Sequence, residues 1–160
     1  MKKVILLLLT TFSIYGQVLE RITPINDMNV FNFGNSLAQH NNDFIVGGFD
    51  AVPPTGNFRL YAFEKTSTGF VQNQIILPPE IDENYTNAIE IDNDFLFIGS
   101  QNNSTNIPNG GAVYVFKKTG STWSYISKIQ PSSLSSGENF GTYISFYDNQ
   151  VFIGSKNYNT

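Results

Sequence analysis

The sequence predicts an all-β fold of four-stranded antiparallel meanders packed against one another, the arrangement of blades in a β-propeller. Three observations predict it. First, a pattern recurs nearly three times: residues 139–155 echo residues 85–100, and a weaker copy runs from 33 to 48. The offsets agree, since Phe33 to Tyr85 and Gly47 to Gly99 are both 52, while Tyr85 to Phe140 and Gly99 to Gly154 are both 55. A β-rich unit recurring at roughly 50 residues points to a propeller or an array. Second, runs such as Phe95-Leu96-Phe97-Ile98 and Ala112-Val113-Tyr114-Val115-Phe116 are apolar on both strand faces, so both faces must be covered. Third, helix signals are missing after residue 16, where Asn, Ser, Thr and Gly interrupt every window of 3-and-4 apolar spacing.

The elements follow in order. Residues 1–16 combine Met1-Lys2-Lys3, the apolar run Val4–Phe12 and small residues up to Gly16, which reads as a secretory signal peptide cut before Gln17. A membrane span needs ~20 apolar residues, about twice this run. The chain has no Cys, so a lipid anchor at that junction and disulfides in the exported product are both excluded. Cleavage removes Lys2 and Lys3 from the 9 basic residues and none of the 13 acidic ones, leaving 144 residues with a formal charge of -6. So acidic a surface argues against nucleic acid as a partner. Stability must come from burial, for which 14 Phe and 8 Tyr supply large apolar rings.

The first blade spans 33–79, with strands near 35–39, 43–47, 58–65 and 70–77. The second, 85–131, is the most complete copy. There Ala88-Ile89-Glu90-Ile91 alternates, Asp92-Asn93-Asp94 makes a hairpin, and Phe95–Ile98 returns; Asn and Asp tolerate the positive φ of such a turn. A loop at 101–110 leads to Ala112–Phe116, a turn at Lys117–Ser121 and the alternating strand Trp123–Ile129, which stops at Pro131. Residues 140–160 hold the first two strands of a third blade. Residues 17–24 read as an orphan fourth strand, because Ile22-Thr23-Pro24 precedes Phe33 at the same spacing of 9 as Ile129-Gln130-Pro131 precedes Phe140. The expectation is a partial propeller of about two and a half blades, where ~4 to 8 close a ring, and so a fragment of a longer protein. A complete chain would instead need intermolecular blade pairing.

Phe33-Gly34 and Phe140-Gly141, with Tyr85-Thr86 in the middle copy, then the hairpin, Gly99-Ser100, and Gly111-Ala112-Val113-Tyr114-Val115-Phe116, together resemble the FG-GAP repeat. That repeat is the blade unit of the integrin α-subunit propeller and of many secreted bacterial proteins. The resemblance covers nearly all of 17–160, although the family's Gly-Ala-Pro is replaced by Gly47-Gly48-Phe49, Gly99-Ser100-Gln101 and Gly154-Ser155-Lys156. It implies a propeller used for binding or adhesion, often with Ca²⁺ held in an Asp-x-Asp-x-Asp-Gly hairpin. The corresponding hairpins here, His40–Asp43, Asp92–Asp94 and Asp148–Gln150, are too short and carboxylate-poor for the six or more oxygens Ca²⁺ takes. No metal site is carried over.

Individual candidates reduce to ordinary roles. Asp92 and Asp94 suit turn hydrogen bonding. His40, the only His, has no Cys partner, so zinc binding and Cys-His catalysis are unsupported. Glu80, Asp82 and Glu83 read as a solvated linker, since adjacent loop acids rarely hold the fixed separation that glycosidic chemistry requires. Sequons begin at Asn84, Asn102 and Asn103. Trp123 and Tyr125 are expected to pack on a neighbouring blade. Catalytic residues, cofactor and metal are therefore all expected to be none.

In a meander the turns between strands one and two and between three and four share one end. The longer connections, 48–57, 101–110, 79–84 and 132–139, share the other, and rigid elements presenting long loops are a usual layout for recognition. The expected function is a secreted or cell-surface binding or adhesion module with a protein or glycan ligand on that long-loop end. The alternative is the propeller part of a larger extracellular enzyme, such as one acting on polysaccharide, with its catalytic part elsewhere.

Overall fold

The computed structural model describes residues 22–25, 30–50, 57–80, 85 and 88–157. The expected signal peptide, most of the expected strand at 17–24, the loop 51–56, Asp82, Glu83 and Asn84 lie outside the described residues. Every regular element described is a strand: β1 (Val30–Phe31), β2 (Leu37–His40), β3 (Asp43–Asp50), β4 (Asn57–Thr66), β5 (Gly69–Ile76), β6 (Ala88–Asp92), β7 (Phe95–Ser100), β8 (Ala112–Thr119), β9 (Thr122–Ile129), β10 (Phe140–Tyr147) and β11 (Gln150–Ser155).

All strand pairs between these elements are antiparallel. The first sheet runs β1-β3-β4-β5, with β2 also paired to β3; the second runs β6-β7-β8-β9; the third is β10-β11. Two four-stranded meanders and one hairpin thus follow one another along the chain. β1 is an addition to the expected strands: Val30 and Phe31 pair with Asp50 and Phe49, extending the edge that β2 leaves free. Short polar turns close each first hairpin, and their backbone shows why. Asn41, Asn93, Asp148 and Asn149 have φ of 53°, 50°, 48° and 58°, the left-handed region that Asn and Asp enter most readily among residues with a Cβ.

One irregularity recurs with the repeat. The register of β4 on β5 shifts between Ala62 and Phe63, and that of β8 on β9 shifts between Val115 and Phe116, leaving Asn73 and Ile126 as extra residues. These β-bulges fall at the same place in the first and second units. A bulge reverses which side chains face which way beyond it. Trp123 consequently packs toward the first sheet while Ile129, of the same parity, packs toward the third. The unbroken alternation expected for 123–129 is corrected accordingly.

The sheets stack in a repeating order. Ala38, Ile45, Leu60, Ala62 and Ile76 of the first share a cluster with Leu96, Ile98, Tyr114, Phe116 and Trp123 of the second. The opposite face of the second, Phe97, Val113 and Val115, shares another with Ile144, Phe146, Val151 and Ile153 of the third. Ile144, Phe146, Val151 and Ile153 are the repeat equivalents of Ile89, Ile91, Leu96 and Ile98, so equivalent residues make equivalent contacts. Side chains apolar on both faces are explained by this, each face being buried against a different neighbour.

The aromatic ring that heads the second and third units is a wedge between sheets, and the one that heads the first packs on its own sheet. Tyr85, fully buried, sits edge-on to Tyr114 with centroids 5.5 Å apart; Phe140 packs on Phe97, Val113 and Val115; and Phe33 packs edge-on to Tyr61 and Phe63. The glycine following the wedge permits close approach. Gly141 has φ of 86°, and its carbonyl oxygen would lie 2.0 Å from a Cβ placed on Gly99. Beside it, Gly111 forms a parallel bridge with Phe140.

Candidate functional site

The first strands of the three units run side by side, β2 next to β6 and β6 next to β10. At their N-terminal ends lies a cleft of about 520 Å³. The first unit contributes Asn35, Ser36 and Leu37, the second Ala88, Ile89 and Gln101, and the third Thr142, Tyr143, Ile144 and Lys156. This is the end where strands enter from the inter-unit connections and leave into the loop after the second strand. The cleft therefore opens on the long-loop end.

Two of those loops are bound to each other. Gly137 N–H donates to Pro108 O (2.9 Å), Asn139 N–H to Asn109 O (3.1 Å) and Phe140 N–H to Gly110 O (2.8 Å). Asn139, at φ 57°, also donates through Nδ2 to Gln101 O (2.9 Å) and to Asn102 Oδ1 (3.0 Å). Thr142 Oγ1, nearly buried, donates to Asn139 O (2.6 Å) and lies 3.2 Å from the Gln101 side-chain oxygen. Asn157 Nδ2 completes the knot on Asn139 Oδ1 (2.7 Å). Gln101 and Thr142 are thus held by hydrogen bonds on the cleft wall, support from behind that keeps a polar contact in place. Tyr143 is 68% exposed and offers an aromatic face; Lys156 adds a positive charge. Amides, a hydroxyl, a ring and a cation from three units converge here, a set suited to holding a polar ligand with few charges.

At the opposite end, His40, Asn41, Asn42, Asp43, Glu64, Asn93, Asp94 and Lys118 line a smaller depression of about 380 Å³. Lys118 Nζ contacts both carboxylate oxygens of Asp43 at 2.7 and 2.6 Å, so this end ties the second sheet to the first. Among the described residues no three His, Asp or Glu side chains group so as to hold a metal ion. Asp92 and Asp94 flank the Asn93 turn: Asp92 accepts from Asn93 Nδ2 at 3.3 Å, and Asp94 O accepts from Lys118 N–H at 2.8 Å.

Other singled-out residues separate. Trp123 is buried between the first two sheets, where its backbone N–H donates to Gln74 Oε1 (2.7 Å) and its carbonyl accepts from Gln74 Nε2 (2.9 Å). Tyr125 instead stays 46% exposed, its ring edge-on to Phe116 of its own sheet at 5.7 Å. Of the sequon positions, Asn103 is buried and hydrogen-bonded to Tyr114 Oη (3.0 Å).

Glu80 is a correction. It is no solvated linker residue: its Oε1 accepts from Lys128 Nζ (2.6 Å), Tyr114 Oη (2.6 Å) and Asn103 Nδ2 (3.4 Å). Burial pushes its carboxyl up, but the hydrogen bonds from Lys128 and Tyr114 and the Lys128 charge together outweigh burial and hold it below the ordinary carboxylate range. Sequence reasoning missed it because its partners lie far along the chain, in the third and fourth strands of the next sheet. The one signal was a lone Lys128 on an otherwise apolar and hydroxylic strand. Glu90, by contrast, is raised, first by burial and then by the charge of Asp92 at the end of the same strand.

No protein-family model, curated protein or solved structure matches this chain.

Proposed function

We propose that this chain is an exported binding module, a β-propeller arc of FG-GAP type whose ligand occupies the cleft between the first strands of its three units. One observation carries the reading: polar side chains from all three units converge on one cleft of about 520 Å³, at the end where the two described long loops are hydrogen-bonded together. Rigid sheets fix the loop bases, and the loops fix the side chains, so recognition costs little ordering. The ligand class is a glycan or a polar protein segment. Hydroxyl-rich or amide-rich groups match Gln101, Thr142 and Asn35, and the exposed ring of Tyr143 gives a sugar or side chain a surface on which to stack. The protein acts outside the cell, reached through the signal peptide at 1–16.

The test is a binding screen of the purified chain against soluble polysaccharide fragments and peptides. Each hit is repeated with Gln101→Ala, Tyr143→Ala and Lys156→Ala, and with Asn41→Gly and Asn93→Gly at the other end. The first set is expected to weaken binding at least tenfold and the second to leave it unchanged. Sensitivity at the short hairpins instead would overturn the assignment of the ligand end.

A further inference from the structure

We infer that Asn103 and Lys128 join in an intramolecular isopeptide bond, with Glu80 carrying protons between them. The inference is independent of the ligand reading above. An amine, a side-chain amide and a carboxylate meet here at one oxygen atom. Glu80 Oε1 accepts from Lys128 Nζ at 2.6 Å and from Asn103 Nδ2 at 3.4 Å, which puts the two nitrogens within about 6 Å of each other. Attack on the amide carbon needs an approach of about 3 to 3.5 Å, and the flexible stem of Lys128 supplies the remaining movement.

The amide is held in place for this. Asn103 is buried, and its backbone is pinned on both sides, its N–H donating to Ser100 O (3.1 Å) and its carbonyl accepting from Gly111 N–H (3.1 Å). Its Oδ1 faces two donors, Thr105 N–H at 3.4 Å and Gln130 Nε2 at 3.5 Å. Both contacts are long in the ground state, and both point at the oxygen that turns negative when its carbon is attacked. Nδ2 donates to Tyr114 Oη (3.0 Å), and Tyr114, fully buried, donates in turn to Glu80 Oε1 (2.6 Å). The Lys128 and Glu80 side chains are themselves mostly covered, so little water competes for the three groups.

The step balances without a co-reactant. Lys128 enters as the ammonium and Glu80 as the carboxylate. Oε1 takes a proton from Nζ, the freed lone pair forms the Nζ–Cγ bond, and the carbonyl pair moves onto Oδ1. As that pair returns, the Cγ–Nδ2 bond breaks. Two protons in all pass from Nζ through Oε1 to Nδ2, which leaves as ammonium; the new amide keeps the third, and Glu80 ends as the carboxylate it was. Nothing is oxidised or reduced. Moving a proton from an amine to a carboxylate is uphill, so closure is slow and happens once per chain. It ties the loop after β7 to β9, the edge strand of the second sheet, across about 25 residues. A chain without Cys thereby gains a covalent staple that acts as a disulfide does, by restricting the unfolded state. Before closure the two side chains are the ion pair described above, and its stability is read on that open form.

The test is tryptic mass mapping of the purified chain after incubation at neutral pH. Trypsin does not cut after an acylated lysine, so closure joins residues 66–117 to an uncut 119–156 through Asn103 and Lys128, at a mass one ammonia below their sum. The map decides where intact mass does not, since cyclisation of an N-terminal Gln17 or a succinimide at Asn109-Gly110 sheds ammonia without joining two peptides. The expected result is the joined peptide in the wild type, none in Lys128→Arg, and formation at least tenfold slower in Glu80→Gln, with circular dichroism of both variants as in the wild type. The closed form should also unfold at a higher urea midpoint than the open form. Separate peptides throughout in the wild type, ammonia lost only at Gln17 or Asn109, or a join that forms as fast in Glu80→Gln overturns the inference. The wild-type map decides the bond by itself, whether or not either variant folds.

Discussion

Replacing Gly99 by alanine tests how the second and third sheets touch. Gly99 has an ordinary strand backbone, so the substitution carries no conformational strain of its own. The added Cβ would lie 2.0 Å from Gly141 O and 3.1 Å from Gly141 C, against 3.4 Å at the near end of ordinary contact. The obstacle is backbone, held by the Gly111–Phe140 bridge and the Phe140 N–H to Gly110 O bond, and cannot rotate away. The two sheets must move apart or the pairing must break. Overpacking of this kind costs about 1 to 3 kcal/mol, and an immobile neighbour puts Gly99→Ala at the upper end. For a chain of this size that is a loss of about 6 to 12 °C in Tm. Gly154 supplies the control, being the same position in the next repeat. There the nearest atom to an added Cβ is Tyr143 Cβ at 3.5 Å, so Gly154→Ala is expected to be neutral or to gain up to about 1 kcal/mol by restricting the unfolded chain. Urea unfolding of the wild type and both variants, followed by circular dichroism at constant m, measures the difference. Gly99→Ala within about 0.5 kcal/mol of wild type, or Gly154→Ala as damaging as Gly99→Ala, would refute the close-approach argument.

Trp123→Ala removes the side chain buried between the first two sheets and should cost about 3 to 5 kcal/mol; as Trp123 is the only Trp, its emission in the wild type should be blue-shifted and move red at the same urea midpoint as the loss of strand signal. Asp43→Asn and Lys118→Met should show a double-mutant coupling of about 1 to 2 kcal/mol, between the values typical of exposed and buried pairs because both side chains are mostly covered, with little change between low and moderate salt. Glu80→Gln tests the acid side. A carboxyl held below its ordinary 4.5 contributes stability that is present above that value and lost as pH falls through the lowered one, so wild type should exceed the variant at neutral pH and converge on it in acid. With about a third of the side chain exposed, the gap should not exceed about 1 kcal/mol. Glu90→Gln has the opposite sign: a raised carboxyl weakens the fold once ionised, so the variant should be the more stable at neutral pH and lose that advantage in acid.

The cleft was legible only in outline. Counting loop lengths located the end on which the three-unit cleft opens, because connection length alternates along a meander. The lining residues were not legible: Asn35, Gln101 and Lys156 come from separate loops whose composition resembles every other loop, and Thr142 from the start of β10. Among the singled-out residues Trp123 packs as strand spacing suggests, while Tyr125 stays partly exposed.

What the sequence determined by itself was local or periodic. Short polar turns at Asn41, Asn93 and Asp148-Asn149, strands apolar on both faces, and the repeat offsets required all-β meanders and put equivalent side chains in equivalent places. The tertiary structure alone decided the bulges at Asn73 and Ile126, the pairing of β1 with β3, the capture of Glu80 by Lys128 and Tyr114, and the contact of Gly99 with Gly141. The physical reason is common to all four. Turn chemistry and strand alternation are properties of neighbours in the chain, whereas a bulge, an ion pair or a glycine contact is set by which residue another strand or sheet places opposite, and short-range pattern carries no record of that partner.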